Sequence, residues 1–428
     1  MDERITIIHG PNGFGKTMIL KLLYALFSLD NQPLYSIPFD EFRIYFEDGS
    51  SFWINRGLHH VHSSMQEITF YATGERSYSL PRLLPKGNAP LGFPTLISEL
   101  IPTLDRIGPE AWRYILTGEI LSLEDILERF GDRLPGELVG ERPRMPEWLV
   151  EMRRSVPIRL IETQRLRSSN PSRSLRRSER NRSVSSQYAV TEDSQHLVDI
   201  IRRQLAEYAS LSQSLDRTFP ARLISPTTQQ LQVEEQVLLE KLEKLEAKRS
   251  RLMANGLLDQ EPSAVLPVDS GEEKGINSNT KAVLAVYAED TEQKLGILDE
   301  LAQKIDLLIT IINNRFLYKR MSIDKEQGLV FTSKNGTVLP LEDLSSGEQH
   351  ELVLFYELLF RITPGSLVLI DEPELSLHVV WQEHFLKDVQ QVTQLTDIDI
   401  VLATHSPDII SDRRDLVVEL EAPKNGRV

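Results

Sequence analysis

The chain has no cysteine, which excludes disulfides, thiol catalysis and every cysteine-ligated zinc site and accords with a reducing cytoplasm. Long hydrophobic runs are also missing. No stretch approaches the roughly 18 apolar residues of a membrane helix, and the first residues lead straight into a motif, so neither export nor membrane anchoring is expected and the location read is cytoplasmic. Positive charge is in deficit: 48 Lys and Arg against 63 Asp and Glu leave a net charge of −15. That balance argues against a chain that simply coats nucleic acid and leaves room for a local basic patch. What remains, 428 residues with 40% apolar and 26% charged, is an ordinary globular composition and a length suited to about two or three domains.

The most informative stretch lies near the start. Gly10-Pro11-Asn12-Gly13-Phe14-Gly15-Lys16-Thr17 follows the apolar run Ile5–Ile8 and precedes the helical run Met18–Phe27. It matches G-x-x-x-x-G-K-[ST] at every fixed position. Strand, loop and helix in that order form a phosphate cradle: backbone N–H groups of Asn12, Gly13 and Gly15 close on phosphate oxygens, Lys16 reaches the β/γ-phosphates, and the Thr17 hydroxyl ligates Mg²⁺.

Further along, Phe42–Glu47 and Ser51–Ile54 flank Asp48-Gly49-Ser50, a hairpin signal, with another strand at Glu67–Ala72. A small antiparallel sheet beside the nucleotide site is expected. His59, His60 and His62 have no carboxylate or cysteine at ligand spacing and read as loop or edge strand. From about 94 to 150 the pattern turns helical, with Leu96, Leu100 and Leu104 on one face and Ile120, Leu123, Ile126, Leu127 and Phe130 on another. Ile158–Ile161 reads as a buried strand whose polar end places Gln164 near a nucleotide. Arg165 to Arg182 then holds seven arginines against the single acid Glu179. Such a run is either a solvated loop or a phosphate-backbone contact for DNA.

The next segment is strongly helical, at His196–Leu211, Thr227 to about Ala254, and about Lys281 to Phe316. Leu231, Leu238, Leu242, Leu245 and Leu252 form one heptad seam, and Leu295, Leu298, Leu301, Ile305, Leu308 and Ile312 another. The economical reading is an antiparallel coiled-coil hairpin over about 227–316, with arms of roughly 40–55 Å. The alternative is two amphipathic helices packed on the head.

Three motifs close the chain. Leu344-Ser345-Ser346-Gly347-Glu348-Gln349 opens a helix, a second anion-binding N-terminus. Ser366–Ile370 is an apolar strand ending in Asp371 and Glu372, placed to hold Mg²⁺ through water and to orient or deprotonate the attacking water. Ile398–Ala403 is another apolar strand ending at Thr404-His405, whose imidazole is a candidate for the γ-phosphate.

In this order the motifs resemble the ABC-type ATPase heads shared by SMC proteins, RecF, double-strand-break repair ATPases, overcoming-lysogenization-defect proteins and many bacterial antiphage AAA-family (ABC-like) ATPases. Gly10–Thr17 is similar to Walker A, Leu344–Gln349 to the signature motif (LSSGEQ in place of LSGGQ), Leu367–Glu372 to Walker B with its catalytic glutamate, Pro373–His378 to the D-loop region, and His405 to the switch histidine. Gln164 is the candidate Q-loop glutamine at the nucleotide and its Mg²⁺. The resemblance implies an α/β fold: a P-loop head with a mostly parallel core sheet plus a small antiparallel sheet, interrupted by a helical insertion. Its parts are residues 1–165 (with a helical insertion at about 94–150), 166–319 (basic loop and coiled coil) and 320–428. Two departures stand out. Only Met1–Glu3 precede Arg4, where these heads carry an earlier strand, so either the start is set late or the sheet lacks that strand. No Cys-x-x-Cys marks a zinc hook.

The resemblance further implies an ATPase using ATP and Mg²⁺, with Ser345, Ser346, Gly347 and Glu348 meeting the nucleotide of a partner head. Two chains or a higher oligomer would then sandwich ATP head to tail. The leading role is the sensor or regulatory subunit of an antiphage system acting with a separately encoded nuclease or toxin, because only about twenty residues follow His405, too few for a Toprim nuclease. The alternative is a RecF/SMC-like DNA-repair or DNA-clamping ATPase contacting DNA through Arg165–Arg182. A transporter subunit fits poorly.

Overall fold

The computed structural model describes residues 3–58, 66–80, 97, 100–101, 103–108, 111–114, 120–122, 126, 130, 145–162, 184–224, 234–259 and 277–420. The chain divides into two compact units, one of Met1–Arg182 with Ile362–Val428 and the other of Ser183–Arg361.

In the first unit β1 (Ile5–His9) leads into α1 (Lys16–Phe27) and the short α2 (Gln32–Ser36). Strands β2 (Glu41–Tyr45), β3 (Ser51–Leu58), β4 (Gln66–Ala72) and β5 (Arg76–Ser79) pair antiparallel in sequence order. After them come β6 (Leu104–Arg106), β7 (Ala111–Tyr114), β8 (Ile120–Ser122), α3 (Glu147–Arg154) and β9 (Ile158–Ile161). The chain re-enters this unit as β13 (Leu367–Asp371), α9 (Val379–Thr396), β14 (Asp399–Thr404), α10 (Pro407–Ile410) and β15 (Val417–Glu419).

The main sheet is wholly parallel, in the order β15-β1-β14-β13-β9. Its strands read as near-continuous apolar runs because side chains on both faces are buried, among them Ile5, Ile7, Val368, Leu369, Ile370, Ile400 and Leu402. Helix α1 links two cores. Leu20 packs with Ile8, Leu369, Val401 and Ala403 of the parallel sheet, while Leu22, Ala25, Leu26 and Phe27 pack with Phe52, Ile54, Ile68 and Phe70 of the antiparallel one. The helix ends against the buried Arg153 of α3, whose Nη2 donates to the carbonyls of Ala25, at 3.0 Å, and Ser28. A guanidinium there satisfies carbonyls that a helix C-terminus leaves without partners and complements its dipole.

One expectation is corrected here. The stretch from 94 to 150, read as helical, carries the antiparallel sheet β6-β7-β8 among its described residues. Trp112 and Tyr114 alternate inward onto Ile97, Ile101, Leu104, Leu121, Ile126 and Phe130, which is strand periodicity. The described residues on either side, Ile97 and Leu100 before the sheet and Ile126 and Phe130 after it, are helical as expected, so the correction concerns the middle of the stretch.

The second unit holds α4 (Val184–Ile224), α5 (Glu235–Ala254), α6 (Ser278–Gly296), α7 (Asp299–Arg315), the antiparallel sheet β10 (Lys319–Asp324), β11 (Gly328–Ser333) and β12 (Val338–Leu339), and α8 (Ser346–Tyr356). The expected division near residue 319 therefore moves to Arg361. The small sheet and the signature helix belong with the long helices, because α8 and β11 pack on α4.

The helical arm also differs from the antiparallel hairpin drawn for 227–316. Ion pairs Lys281–Glu235, Lys241–Glu292, Lys248–Asp299 and Arg251–Asp306 advance together along both partners. Hence α5 runs parallel to α6 and α7. The antiparallel partner of α6 is α4, through Lys294–Asp216 and Arg222–Asp290. The seams themselves are present, since Leu238, Leu245 and Leu252 on α5 and Leu295, Leu298, Leu301, Ile305, Leu308 and Ile312 are buried. Instead of one helix, 281–316 is two, interrupted at Ile297 and Leu298. Where α5 ends, Gly256 takes φ +73°, and a Cβ there would collide with the Ile323 carbonyl oxygen. Only glycine fits so close an approach in a left-handed conformation.

Candidate active site

The phosphate loop follows directly from β1. Gly13 and Gly15 adopt φ +87° and +88°, a left-handed geometry that glycine takes without steric cost and that turns consecutive N–H groups inward. Gly15 is also the N-cap of α1, so the positive end of the helix dipole points into the loop. Lys16 is 4% exposed. Its ammonium folds back over the loop and donates to the carbonyls of Gly10, at 2.7 Å, and Pro11, at 3.3 Å. Asn12 lies in the loop and is exposed.

Parallel pairing brings the distant motifs to this loop. The register Ile8↔Ala403, Asp371↔Ala403 and Ile370↔Ile161 aligns the carboxyl ends of β1, β14, β13 and β9, the edge of an open parallel sheet where ligands bind. The Thr17 hydroxyl sits 3.0 Å from both Oδ1 and Oδ2 of Asp371 and donates to that carboxylate. Asp371 is 7% exposed. Burial raises its pKa, and the neighbouring Glu372 charge adds to the rise, while the Thr17 hydrogen bond and Lys21 oppose it. A hydroxyl and a desolvated carboxylate side by side are the hard oxygen donors Mg²⁺ requires, and a cation there would relieve the cost of burying the Asp371 charge. Lys21 pairs with Glu162, at the end of β9, at 2.9 Å.

Glu372 breaks the strand. Its φ of 43° and ψ of 59° are left-handed, uncommon for a non-glycine residue and the kind of strain that gathers at functional sites. The turn is pinned by its N–H donating to the Ala403 carbonyl at 2.9 Å. His405 Nδ1 lies 3.9 Å from Glu372 Oε1 and 2.9 Å from Glu374 Oε1. The closer approach is out of line for a hydrogen bond, so Nδ1 makes none. Glu374 itself is buried, and its Oε1 accepts from the Thr404 hydroxyl at 2.7 Å and the His405 N–H at 2.8 Å. Buried Gln382 donates to the carbonyls of Glu374 and Leu377 and accepts from the Ser406 hydroxyl at 2.8 Å.

Lys16, Thr17, Asp371, Glu372 and His405 are thus all in the first unit. The signature residues are in the second. Ser345 is the N-cap of α8, its Oγ accepting from the Glu348 N–H, and Glu348 returns the contact by accepting the Ser345 N–H at 2.7 Å. Glu348 also pairs with Lys319 at 2.7 Å. Its carboxylate is therefore committed to the capping box and to Lys319, and the Ser345 hydroxyl to the same box. First-turn N–H groups such as those of Ser346 and Gly347 are the ones a helix leaves without internal partners, available to an anion. Behind them Glu351 and Arg315 form a buried ion pair. Gln164 and Arg165–Arg182 lie outside the described residues, as do His59, His60 and His62.

Glu374, Gln382 and Ser406 are the site residues that sequence reasoning did not single out. Glu374 was visible as a second carboxylate two residues after Glu372. What gives it meaning is the pairing of β13 with β14, which a linear reading does not supply. Among the described residues no group of three or more His, Asp or Glu side chains forms a further metal site, and no helix is long and apolar enough to cross a membrane.

A family described as "AAA domain, putative AbiEii toxin, Type IV TA system" matches residues 91–411. No curated protein matches. Among solved structures, the Smc head domain with an extended coiled coil bound to the C-terminal domain of ScpA, derived from Pyrococcus furiosus, is 9% identical, with a TM-score of 0.30 over 95% of this chain and 84% of that one.

Proposed function

We propose, starting from the membership of this chain in the AAA-domain family whose description includes the putative AbiEii toxin of type IV toxin–antitoxin systems, that it hydrolyses Mg²⁺-ATP and switches between open and closed dimers as it does so. The observation that carries the reading is the meeting of Thr17 with both Asp371 oxygens at 3.0 Å across 354 residues of sequence. A hydroxyl from the phosphate loop and a carboxylate from the end of β13, with β14 between that strand and β1, are the pair that holds the metal of a phosphate-loop nucleotidase.

In this reading the loop amides of Asn12, Gly13 and Gly15 hold the phosphates, and Lys16 exchanges its two loop carbonyls for β/γ-phosphate oxygens. Thr17 and Asp371 would hold Mg²⁺, which when bound would neutralise charge on the transferring phosphoryl group. Glu372 orients and deprotonates the attacking water, and His405 supports the γ-phosphate. Ser346 and Gly347 close on the nucleotide of a second copy, so that ATP favours the closed pair by its differential affinity and hydrolysis releases it. The mention of a type IV toxin–antitoxin system in the family description supports a toxin–antitoxin or antiphage setting, in which the proposed role of this switch is the cytoplasmic, ATP-driven regulatory part acting with a separately encoded effector.

Steady-state phosphate release tests the chemistry. Lys16→Ala and Asp371→Asn are expected to abolish nucleotide binding and turnover, and Glu372→Gln to keep binding while slowing kcat about 10²- to 10⁴-fold. Turnover unaffected by all three would remove the reading.

A further inference from the structure

We infer that Glu374 is the positioning residue for His405: it fixes which ring nitrogen carries the proton and so leaves Nε2 to serve the nucleotide. The inference rests on the ATPase reading for its function and on geometry for its structure. Glu374 is 7% exposed, its side chain 4%, and it stands in the turn directly after the catalytic candidate Glu372. One oxygen, Oε1, accepts from the Thr404 hydroxyl and the His405 backbone N–H. These contacts tie the carboxylate to the residue it faces.

The remaining polar atoms are the telling ones. Glu374 Oε2 is buried and makes no hydrogen bond, and neither does His405 Nδ1, although the ring nitrogen lies only 2.9 Å from Oε1. Buried polar groups are nearly always satisfied, and here two unsatisfied ones belong to side chains already in contact. A small rotation of the imidazole brings Nδ1–H into line with the carboxylate. Hydrogen bonds of catalytic groups are often misaligned before the substrate arrives and tighten in the complex.

The consequence follows from the chemistry of imidazole, whose tautomer is set by the hydrogen bond made at the other nitrogen. With Nδ1–H committed to Glu374, Nε2 is the nitrogen left for the phosphate side. The other charged group near the ring, Glu372 at 3.9 Å, faces the same nitrogen from farther away. The main chain is held on both sides of the ring, by the His405 N–H donating to Glu374 and the Ser406 N–H donating to the Thr404 hydroxyl oxygen at 3.0 Å, so the ring pivots on an anchored main chain.

The test uses the full-length chain labelled with ¹⁵N-histidine, the His405 signals being assigned by difference from His405→Gln. At a pH where the ring is neutral, the native protein is expected to show the Nδ1–H tautomer. Glu374→Gln, which keeps an oxygen for Thr404 and the His405 N–H but loses the charge, is expected to move the population to Nε2–H. It should lower kcat for Mg²⁺-ATP at least tenfold with KM changed less than twofold. Glu374→Asp keeps the charge but retracts it by one methylene, and moves both readouts part of the way, so the inference stays testable if the glutamine variant folds poorly. Glu374→Gln combined with His405→Gln should be no slower than His405→Gln alone. An unchanged tautomer, or losses that multiply in the double variant, overturns the inference. If the tautomer moves while Lys16→Ala and Glu372→Gln leave turnover intact, the ATPase reading fails and the positioning pair stands. If those variants slow turnover and the tautomer is indifferent to residue 374, the pairing fails and the ATPase reading stands.

Discussion

Helix α8 carries the signature residues at its N-terminus and is held from behind by a charge pair with almost no access to water: Arg315 is 5% exposed and Glu351 0%. The Arg315 guanidinium also lies 5.1 Å from the Phe355 ring centroid, so its surroundings are aromatic rather than aqueous. Glu351→Gln removes the negative partner and leaves a desolvated guanidinium, at a cost of about 3–5 kcal/mol. Replacing both members, Arg315→Met with Glu351→Leu, removes the charges together and is expected to be near neutral. Because the chain has two compact units, a single unfolding midpoint is a poor measure, and native-state hydrogen exchange of the Leu352–Tyr356 amides is the better assay. A loss of about 3–5 kcal/mol accelerates their exchange roughly 10²- to 10³-fold or more in the single variant, at 1.36 kcal/mol per decade. The double variant should exchange within about tenfold of the native chain. Exchange in Glu351→Gln within a few-fold of native, or a double variant worse than the single one, would refute the account of α8 as a helix positioned by this pair.

Two further predictions concern the second unit. Asp193 is buried against Arg361, and desolvation raises its pKa to about 7, with the Glu357 and Glu192 charges adding to the rise and Arg361 opposing it. A carboxyl that holds its proton more tightly when folded stabilises below its unfolded pKa and loses that contribution as pH rises through the folded one. The stability of this unit should therefore fall between about pH 4 and pH 7, by a few kcal/mol at most, and Asp193→Asn should flatten that slope in a pH series of native-state hydrogen exchange read at the Leu352–Tyr356 amides of the same unit. For the helical arm, the absence of native cysteine permits clean cross-linking. Glu235→Cys with Lys281→Cys should be joined by a short bismaleimide, because those positions pair at 2.9 Å in the parallel arrangement, whereas an antiparallel hairpin would set them roughly 28 Å apart along the arm at 1.5 Å per residue; failure to cross-link would restore the antiparallel hairpin.

What the sequence made legible and what it hid follow one physical division. The phosphate loop, α1 and the apolar strands of the parallel sheet are local patterns, complete within a dozen residues, and the hairpin at Asp48-Gly49-Ser50 is set by its own turn. The capping box of Ser345 and Glu348 was also written locally, as S-x-x-E, but an anion-binding assignment masked its structural role. The direction of α5 was not legible, because a heptad seam reads the same toward a parallel or an antiparallel neighbour. Its ion-pair ladder emerges only when both helices are in place. The strands β6–β8 were lost because leucines at helical spacing bracket a short alternation centred on Trp112. Glu374 required knowledge of which strand lies beside which, since it meets His405 only through the pairing of β13 with β14.

The most direct test of the composite nucleotide site is the mass of the Glu372→Gln chain in solution, measured by light scattering after size exclusion with and without Mg²⁺-ATP. The account predicts a monomer that becomes a stable dimer when Mg²⁺-ATP is added, and no such shift when Lys16→Ala is introduced into the same chain. A mass that ignores nucleotide in both would contradict it.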